Sequence, residues 1–179
     1  MVGIESTGKT SLLEQLKTIF TDKPGLLSHQ IVPTVGLNIA RFDVHGASLV
    51  LWDLGGKCGL RSIWDRYYTV ANAVMYVADA SMSTADTAFA DARLTFEGML
   101  ANDALIGAPL LVFVNKSDTV TEDEAAAALR IWERAASMSA SDRKVLVLSS
   151  SARGGEGLRE GIAWLVEMLR QSTRVTDCT

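Results

Sequence analysis

The residues best suited to chemistry stand near the start of the chain, where Gly3 to Thr10 reads GIESTGKT. This is the pattern G-x-x-x-x-G-K-[ST], whose glycines let the backbone fold tightly enough for its N–H groups to converge on an anion. Lys9 would place a cation on the outer phosphates of a nucleoside triphosphate, and the Thr10 hydroxyl could ligate Mg²⁺. A helix beginning near Lys9 would add positive charge at the same point. The candidate phosphate-binding residues are Gly3, Glu5, Ser6, Thr7, Gly8, Lys9, Thr10 and Ser11.

A candidate base-binding motif, Asn115-Lys116-Ser117-Asp118, follows an apolar run at the edge where ligands bind in open α/β sheets. The Asp118 carboxylate could accept hydrogen bonds from the N1–H and 2-amino group of guanine, whereas adenine offers no such pair of donors. Asn115 would tie the loop together, and Lys116 completes the binding motif. An ordinary strand-to-helix turn also favours Asn and Asp, so this motif alone would not indicate a ligand.

Three further segments point to the same ligand. Asp53, in WDLGG, is placed to hold Mg²⁺ through water, and Gly56 can bring its N–H onto the terminal phosphate. Thr34, in PTVG, offers a second hydroxyl for Mg²⁺, and both loops would be held only while the γ-phosphate is present. After the last predicted strand, the backbone of Ser151, Ala152 and Arg153 could cover the guanine ring. Together these segments predict a site for a guanine nucleotide with Mg²⁺.

The elements that must position these residues alternate between apolar runs and helical patterns, which is typical of βαβ units and a mainly parallel sheet. A short turn at His45-Gly46 predicts that the first two strands form an antiparallel hairpin. The predicted strands are Val35–Val44, Ala47–Trp52, Ala73–Asp79, Pro109–Asn115 and Lys144–Ser149. The predicted helices are Lys9–Phe20, Leu60–Tyr68, Thr84–Asn102, Glu122–Ser137 and Leu158–Gln171.

The composition of the 179 residues is that of one globular domain, predicted over residues 1–172, with a flexible C-terminal tail at 173–179. A net charge of −4, without a dense basic run, argues against nucleic acid as a partner. The chain has only 2 cysteines, which indicates a reducing compartment. No apolar run reaches transmembrane length, and no signal peptide is recognised. The sequence as written therefore predicts a cytoplasmic protein.

The set GIESTGKT, PTVG, WDLGG, NKSD and SSA resembles small GTPases, and PTVG with WDLGG is similar to the Arf/Arl family. Within that family, the insertion before Pro33, the stretch TVGLNIARFDV and the ending EGLREGIAWLVEMLR most resemble the Arf-related type. The resemblance implies a P-loop NTPase of the Ras-like fold, with a mostly parallel central sheet and helices on both faces. It also implies a GTP/GDP switch that uses Mg²⁺ and regulates membrane traffic at the trans-Golgi and endosomes.

The resemblance further implies partners that read the nucleotide state: an exchange factor, a GTPase-activating protein and effectors that contact the switch and interswitch regions. We expect the chain itself to be a monomer that cycles from the cytoplasm to Golgi membranes. Leu37, Trp52 and Tyr67 match the positions at which Arf-type proteins present an apolar triad to effectors. The competing interpretation is that these three side chains are ordinary core residues.

The sequence departs from the family pattern at Lys57, where Arf-like proteins carry Gln after the two glycines. A Gln amide donates and accepts hydrogen bonds, so it can orient the attacking water, whereas a protonated Lys can only donate. We therefore expect Lys57, Gly56 and Lys9 to be the catalytic residues. Nucleotide binding should be intact, whereas GTP hydrolysis should be weak. The alternative is a pseudo-GTPase or GTP-locked scaffold that binds partners without catalysis. An ATP-using phosphate-loop kinase is disfavoured by Asp118 and by the lack of a lid segment.

The second departure lies at the start of the chain. In the family an apolar strand runs directly into the phosphate loop, and here Met1 and Val2 correspond to its end. A largely missing central strand would expose strand edges and apolar surface. The N-terminal amphipathic helix that binds membranes in such proteins has no counterpart, so we expect an N-terminally truncated sequence that reaches membranes only through that missing helix or a receptor.

Overall fold

The structure is a computed structural model that describes residues 1–21, 23–138 and 143–172. The prediction of a flexible tail at 173–179 lies outside the described residues. Two sets of strands build the centre of the molecule, and helices cover both of their faces.

The first set of strands is an antiparallel hairpin of β1 (Leu37–Val44) and β2 (Ala47–Leu54), with Val44 paired to Ala47. Both turn residues, His45 and Gly46, have positive φ angles of 50° and 76°. Such a two-residue turn matches the right-handed twist of the flanking strands. The predicted hairpin is therefore confirmed. Strand β1 begins two residues later than predicted, after Gly36, whose φ of 85° lies outside the extended region.

The second set is a parallel sheet in the order β3 (Val74–Asp79), β4 (Leu110–Asn115) and β5 (Val145–Ser149). Every residue of β3 and β4 is buried, which explains why these strands are continuous apolar runs rather than alternating ones. The predicted strands are confirmed to within a residue here, and their carboxyl ends lie at one edge.

Met1 and Val2 lie between the two sets. Val2 makes a parallel bridge with Tyr76, and Met1 hydrogen-bonds to Trp52 and Leu54 of β2. These two residues therefore occupy the strand position that the sequence assigns to them. A groove of about 700 Å³ continues from them between the first residues of β2 and β3.

The α-helices are α1 (Lys9–Phe20), α2 (Trp64–Tyr68), α3 (Thr87–Leu100), α4 (Glu122–Ser137) and α5 (Leu158–Gln171). The prediction of an α-helix from Leu60 is wrong, because Cys58–Ile63 forms a 3-10 helix. The Arg61 side chain bonds back to the Gly56 carbonyl and holds this segment in the tighter turn. Helix α3 starts later than predicted, because Ser83 and Asp86 bond to each other in a preceding turn.

Successive residues of the parallel strands point into two separate hydrophobic clusters. On one face Met75, Val77 and Phe113 pack with α1 and α5; on the other, Tyr76 packs among Phe96 of α3 and Trp132 of α4. This arrangement confirms the predicted α/β fold with helices on both faces. Among the described helices, none has the length and apolar character needed to cross a bilayer.

Candidate functional site

The phosphate loop turns sharply at three positive φ angles, those of Gly3 (146°), Ser6 (64°) and Gly8 (87°). A Cβ atom on Gly3 would collide with the Val77 carbonyl, and one on Gly8 would collide with the Asn115 amide. Both glycines are therefore required by close packing as well as by backbone conformation. Gly8 is the N-cap of α1 and no side chain caps the helix, so the first backbone N–H groups of α1 remain available to an anion.

Lys9 is buried at the centre of the loop, with 6% of its surface exposed. Its ammonium group donates to the Ile4 carbonyl at 2.7 Å. Burial lowers the pKa of Lys9 to about 8, against the opposing attraction of Asp53. The loop thus holds a cation that has given up much of its hydration, and a bound anion would favour its charged form.

Thr10, Thr34 and Asp53, the three residues predicted to hold Mg²⁺, meet at one point. The Thr10 hydroxyl lies 2.6 Å from Asp53 Oδ2 and 2.7 Å from the Thr34 hydroxyl, which itself lies 3.3 Å from Asp53 Oδ2. Thr34 and Asp53 lie 24 and 43 positions after Thr10 in the sequence, so the three residues come from separate segments. The fold therefore brings the three residues together, while their role in holding Mg²⁺ remains a prediction.

The chemistry of this cluster fits Mg²⁺, which prefers hard oxygen ligands and keeps several waters. Asp53 is fully buried, and its Oδ1 has no hydrogen-bond partner within the described part of the chain. Burial is the main cause that raises the pKa of Asp53 above its usual value. A divalent cation would interact with the unpaired Asp53 Oδ1 and would offset the free-energy cost of the buried carboxylate charge. No group of three or more His, Cys, Asp or Glu residues suited to a metal occurs in the described ranges.

Gly56 lies directly against the phosphate loop. A Cβ atom added at Gly56 would be 2.5 Å from the Lys9 ammonium nitrogen and would also meet Gly3 and Ile4. The Gly56 carbonyl accepts a 2.8 Å hydrogen bond from Arg61, whose guanidinium also forms two 2.7 Å hydrogen bonds with the Asp91 carboxylate. The structure thus brings Gly56 next to Lys9 and ties its loop to α3, while the predicted contact of the Gly56 N–H with the terminal phosphate remains a prediction.

Lys57 follows Gly56 but is exposed at the start of the 3-10 helix. The neighbouring Cys58 is exposed as well. Of the predicted catalytic set, the structure therefore joins Lys9 and Gly56 and leaves the Lys57 side chain in solvent. Its role remains a prediction.

At the other end of the site, Asn115 connects three segments. Its amide nitrogen donates to the Thr7 carbonyl, and its amide oxygen accepts from the Ala152 N–H, both at 2.9 Å. The side chain is almost fully buried, so these bonds are protected from water. Asn115 therefore fixes the phosphate loop, the base-binding motif and the segment at Ser151–Arg153 relative to one another.

Asp118 is exposed at the rim of a cleft of about 360 Å³. Ser117 steadies the preceding turn, because both its N–H and its hydroxyl donate to the Ser150 carbonyl. Ser151 is buried and its hydroxyl accepts from the Gly154 N–H. The residues that line the cleft are Gly8, Ser11, Gln15, Leu26, Leu27, Ile31, Asn115, Lys116, Asp118, Thr119, Ala152 and Arg153. The predicted base-binding residues therefore share one opening with the start of α1.

Lys116 makes a contact that the sequence analysis did not predict. Its backbone adopts a left-handed conformation with φ of 67°, and its ammonium group lies 2.6 Å from the buried Asp79 carboxylate. Asp79 also accepts from the N–H and hydroxyl of Ser81. The sequence could have indicated Asp79 as a site residue, because it is a carboxylate at the carboxyl end of a buried strand. No sequence pattern indicated the Arg61–Asp91 pair or the leucines of the cleft.

The apolar residues predicted to face effectors, Leu37, Trp52 and Tyr67, are all half-buried. The Trp52 and Tyr67 rings meet edge to face with centroids 5.4 Å apart, and Leu37 and Tyr67 pack against the core cluster around Tyr76. Each side chain is thus packed against neighbouring residues and keeps part of its surface exposed to solvent. Their effector role remains a prediction.

Comparison with protein families gives a match of residues 1–169 to the ADP-ribosylation factor family. The chain is 39% identical over 173 residues to ADP-ribosylation factor-related protein 1 of Homo sapiens, which covers 93% of this chain and 82% of that protein. It is 29% identical over 176 residues to ADP-ribosylation factor-like protein 3 of Saccharomyces cerevisiae, covering 97% and 86% of the two chains.

Among solved structures, the chain resembles the Arl6 BBS3 small GTPase of Trypanosoma brucei with the bound nucleotide analogue GppNp. The TM-score is 0.77 at 27% identity, with 97% of this chain and 96% of that chain covered. Translation elongation factor SelB of Methanococcus maripaludis, in complex with the GTP analogue GppNHp, shares the fold at a TM-score of 0.75 and 19% identity. That match covers 97% of this chain and 34% of the other.

Proposed function

Because this chain belongs to the ADP-ribosylation factor family of small GTPases, which are nucleotide-binding switches, we propose that it is a Mg²⁺-dependent GTP/GDP switch of the Arf-related type. The observation that carries the proposal is the convergence of Thr10, Thr34 and Asp53 on one another. A helix, a loop and a strand that are distant in the sequence bring two hydroxyls and one carboxylate together at the N-terminus of α1. This donor set suits a metal–phosphate complex better than it suits a structural hydrogen-bond network.

Different residues would bind different parts of the nucleotide. The N–H groups of α1 and the Lys9 ammonium would bind the phosphates, while Asp118 would select guanine and Asn115 would hold its loop in place. Thr10 and Thr34, with Asp53 acting through water, would hold Mg²⁺, which supplies positive charge to the β- and γ-phosphates.

The proposed switch consists of two loops whose conformation would depend on contacts with the γ-phosphate. Thr34 and Gly56 lie on two different loops, and each would gain contacts at the γ-phosphate end of the nucleotide. When the γ-phosphate leaves, these loops lose partners that the phosphate loop alone cannot replace. The surface near Leu37, Trp52 and Tyr67 adjoins both loops, so effectors that bind there would read the nucleotide state.

Hydrolysis is the step at which this chain departs from its relatives. Lys57 is exposed and donates hydrogen bonds without accepting them, so it can contact phosphate but cannot orient water. We therefore propose that intrinsic GTP hydrolysis is weak, while binding is intact.

Single-turnover GTP hydrolysis by the wild type and Lys57→Gln tests this step. We expect the Gln variant to be faster by about tenfold, since a Gln can both accept from water and donate to phosphate. Cys58→Ala is the matched control, because Cys58 is the exposed neighbour and should leave the rate unchanged. Equal rates for the wild type and Lys57→Gln would contradict the assigned role of this position.

The alternative function is a GTP-locked scaffold or pseudo-GTPase, and the exposed Lys57 is the observation that favours it. The nucleotide that co-purifies with the protein distinguishes the two. GDP in the purified protein indicates turnover, whereas GTP that survives purification indicates the locked form.

The cellular role that we propose is regulation of traffic at the trans-Golgi and endosomes by a monomer that cycles between the cytoplasm and those membranes. Its support is the similarity to ADP-ribosylation factor-related protein 1. The partners would be an exchange factor, a GTPase-activating protein and effectors, with no nucleic acid among them. Imaging the tagged protein beside Golgi and endosomal markers tests the location, and sedimentation tests the monomer.

A further inference from the structure

The glycine pair Gly55-Gly56 contacts both the segment that carries Thr34 and the phosphate loop. The Gly55 N–H donates to the Gly36 carbonyl at 2.9 Å, and a Cβ atom added at Gly55 would collide with the Thr34 carbonyl. Gly56 lies against the phosphate loop, where an added Cβ atom would be 2.5 Å from the Lys9 ammonium nitrogen. The two glycines therefore join the Thr34 segment to the phosphate loop at the γ-phosphate end of the proposed site.

The Gly56 N–H is a donor without an acceptor. Gly56 is buried, and within residues 1–21, 23–138 and 143–172 its N–H makes no hydrogen bond. A buried backbone N–H is normally paired with a protein group, a water molecule or a ligand. Next to a buried ammonium group, this N–H suits an anionic oxygen such as that of a terminal phosphate. Its direction then decides whether that phosphate can be bound.

The Trp64 side chain controls this direction. Its indole N–H donates to the Gly55 carbonyl at 3.1 Å, and only 3% of the surface of Trp64 is exposed. The Gly55 carbonyl and the Gly56 N–H belong to one peptide plane, and in a trans peptide these two groups point in opposite directions. The bond that holds the carbonyl towards Trp64 therefore directs the N–H to the opposite side.

The anchor is rigid, because Trp64 packs within the core cluster around Tyr76. The next carbonyl along the chain, that of Gly56, accepts a 2.8 Å hydrogen bond from Arg61 Nε. Two consecutive carbonyls are thus held by side chains that lie three residues apart in one helical segment. A rotation of the Gly55-Gly56 peptide would break the buried bond to Trp64, and such a bond is costly to lose.

We propose that Trp64 is a positioning residue for the γ-phosphate, because its indole N–H orients the Gly55-Gly56 peptide so that the Gly56 N–H can donate to that phosphate. This inference rests on the proposed GTP/GDP switch and adds to it a residue that acts through the backbone rather than by contact with the nucleotide. Since GDP lacks the γ-phosphate, Trp64 sets the affinity for GTP and not the affinity for GDP. A tryptophan that only filled the core would affect both nucleotides alike.

The test measures the dissociation constants of radiolabelled GDP and GTPγS for the wild type and for protein with benzothienylalanine at position 64. That amino acid keeps the two-ring shape of tryptophan and carries sulfur in place of the N–H, so the packing is kept and the donor is lost. We expect GTPγS to bind about tenfold more weakly and GDP to bind within about twofold of the wild type. Trp64→Phe also lacks the N–H and should shift the ratio of the two constants in the same direction.

Trp132→Phe is the matched control, because Trp132 is 1% exposed in the same core cluster but belongs to α4. This variant removes the same ring atoms from the core and should leave the ratio of the GTPγS and GDP dissociation constants unchanged. Equal weakening of both nucleotides in the position-64 variants would overturn the inference, as would an unchanged affinity for GTPγS. A wild type that binds neither nucleotide would instead overturn the proposed function.

Discussion

The two ends of the nucleotide site are built on different principles. At the base end, Asn115 is bonded to the Thr7 carbonyl and the Ala152 N–H, so the shape of the cleft is fixed by the protein's own backbone. At the phosphate end, Lys9, Thr10, Thr34 and Asp53 bond largely to one another or to the loop that carries them. One end is a rigid frame, whereas the other consists of groups whose partners can be exchanged.

We propose that this difference separates base recognition from switching. A frame that is fixed by buried backbone bonds can select guanine in either nucleotide state. A cluster of hydroxyls around a buried carboxylate can bond internally or to a metal–phosphate complex, and its loops move accordingly. The contrast leads us to propose that separate sets of residues read nucleotide identity and nucleotide state.

Replacing Asn115 should break the rigid end and produce the largest effect. Asn115→Ala leaves the buried Thr7 carbonyl and Ala152 N–H without partners, at a cost of about 1–3 kcal/mol each. We expect a fall of about 3 kcal/mol in the free energy of unfolding and a loss of guanine-nucleotide affinity of at least about a hundredfold. Denaturant unfolding and equilibrium binding measure the two effects.

Asp118→Ala provides the contrast at the same end. Because Asp118 is exposed, its removal should change the free energy of unfolding by no more than about 0.5 kcal/mol. It should nevertheless reduce the preference for GDP over ADP. If Asp118→Ala destabilises the protein as much as Asn115→Ala, the division between frame and selector is wrong.

Replacing Asp53 tests the exchangeable end. Burial raises the pKa of Asp53, so stability is lost as pH rises from the ordinary carboxyl pKa through the raised one, and the full cost of the ionised form is present above it. Asp53→Asn should therefore stabilise the nucleotide-free protein at pH 7.5, by about 1 kcal/mol. The same variant should lose its response to Mg²⁺, whereas chelation of Mg²⁺ should speed GDP release from the wild type about tenfold, or about 1.4 kcal/mol. GDP release that still depends on Mg²⁺ in Asp53→Asn would contradict the assignment.

Titration of Lys9 should give the smallest effect. In the structure burial lowers the pKa of Lys9 to about 8, and bound phosphates would raise it. Binding then takes up a proton, so nucleotide affinity should fall about fourfold between pH 7 and 8.5. Calorimetric titrations of GDP in buffers of different ionisation enthalpy measure the uptake. Lys23→Met, which removes an exposed lysine, should leave it unchanged, and affinity independent of pH would refute the prediction.

Much of this protein follows from sequence alone, because its main features are local. The glycines of the phosphate loop and the His45-Gly46 turn impose backbone angles on their immediate neighbours. The apolar runs of β3 and β4 identify buried parallel strands, and the carboxyl ends of such strands lie at one edge. These rules predict that Thr10, Asp53, Asn115 and Asp118 belong to one site.

Other features were decided only by the tertiary structure. The Arg61–Asp91 pair spans 30 positions of sequence, and Arg61 lies in a 3-10 helix where the sequence predicts the start of an α-helix. The contact between Lys116 and Asp79 likewise depends on how the tertiary structure packs, as does the presence of Leu26 and Leu27 in the same cleft as the base motif. Sequence periodicity fixes which face of an element is apolar, but not which side chain of a distant segment meets it. That choice is made when the elements pack together, and here it produced the Arg61–Asp91 and Lys116–Asp79 contacts around a site whose motifs the sequence itself contains.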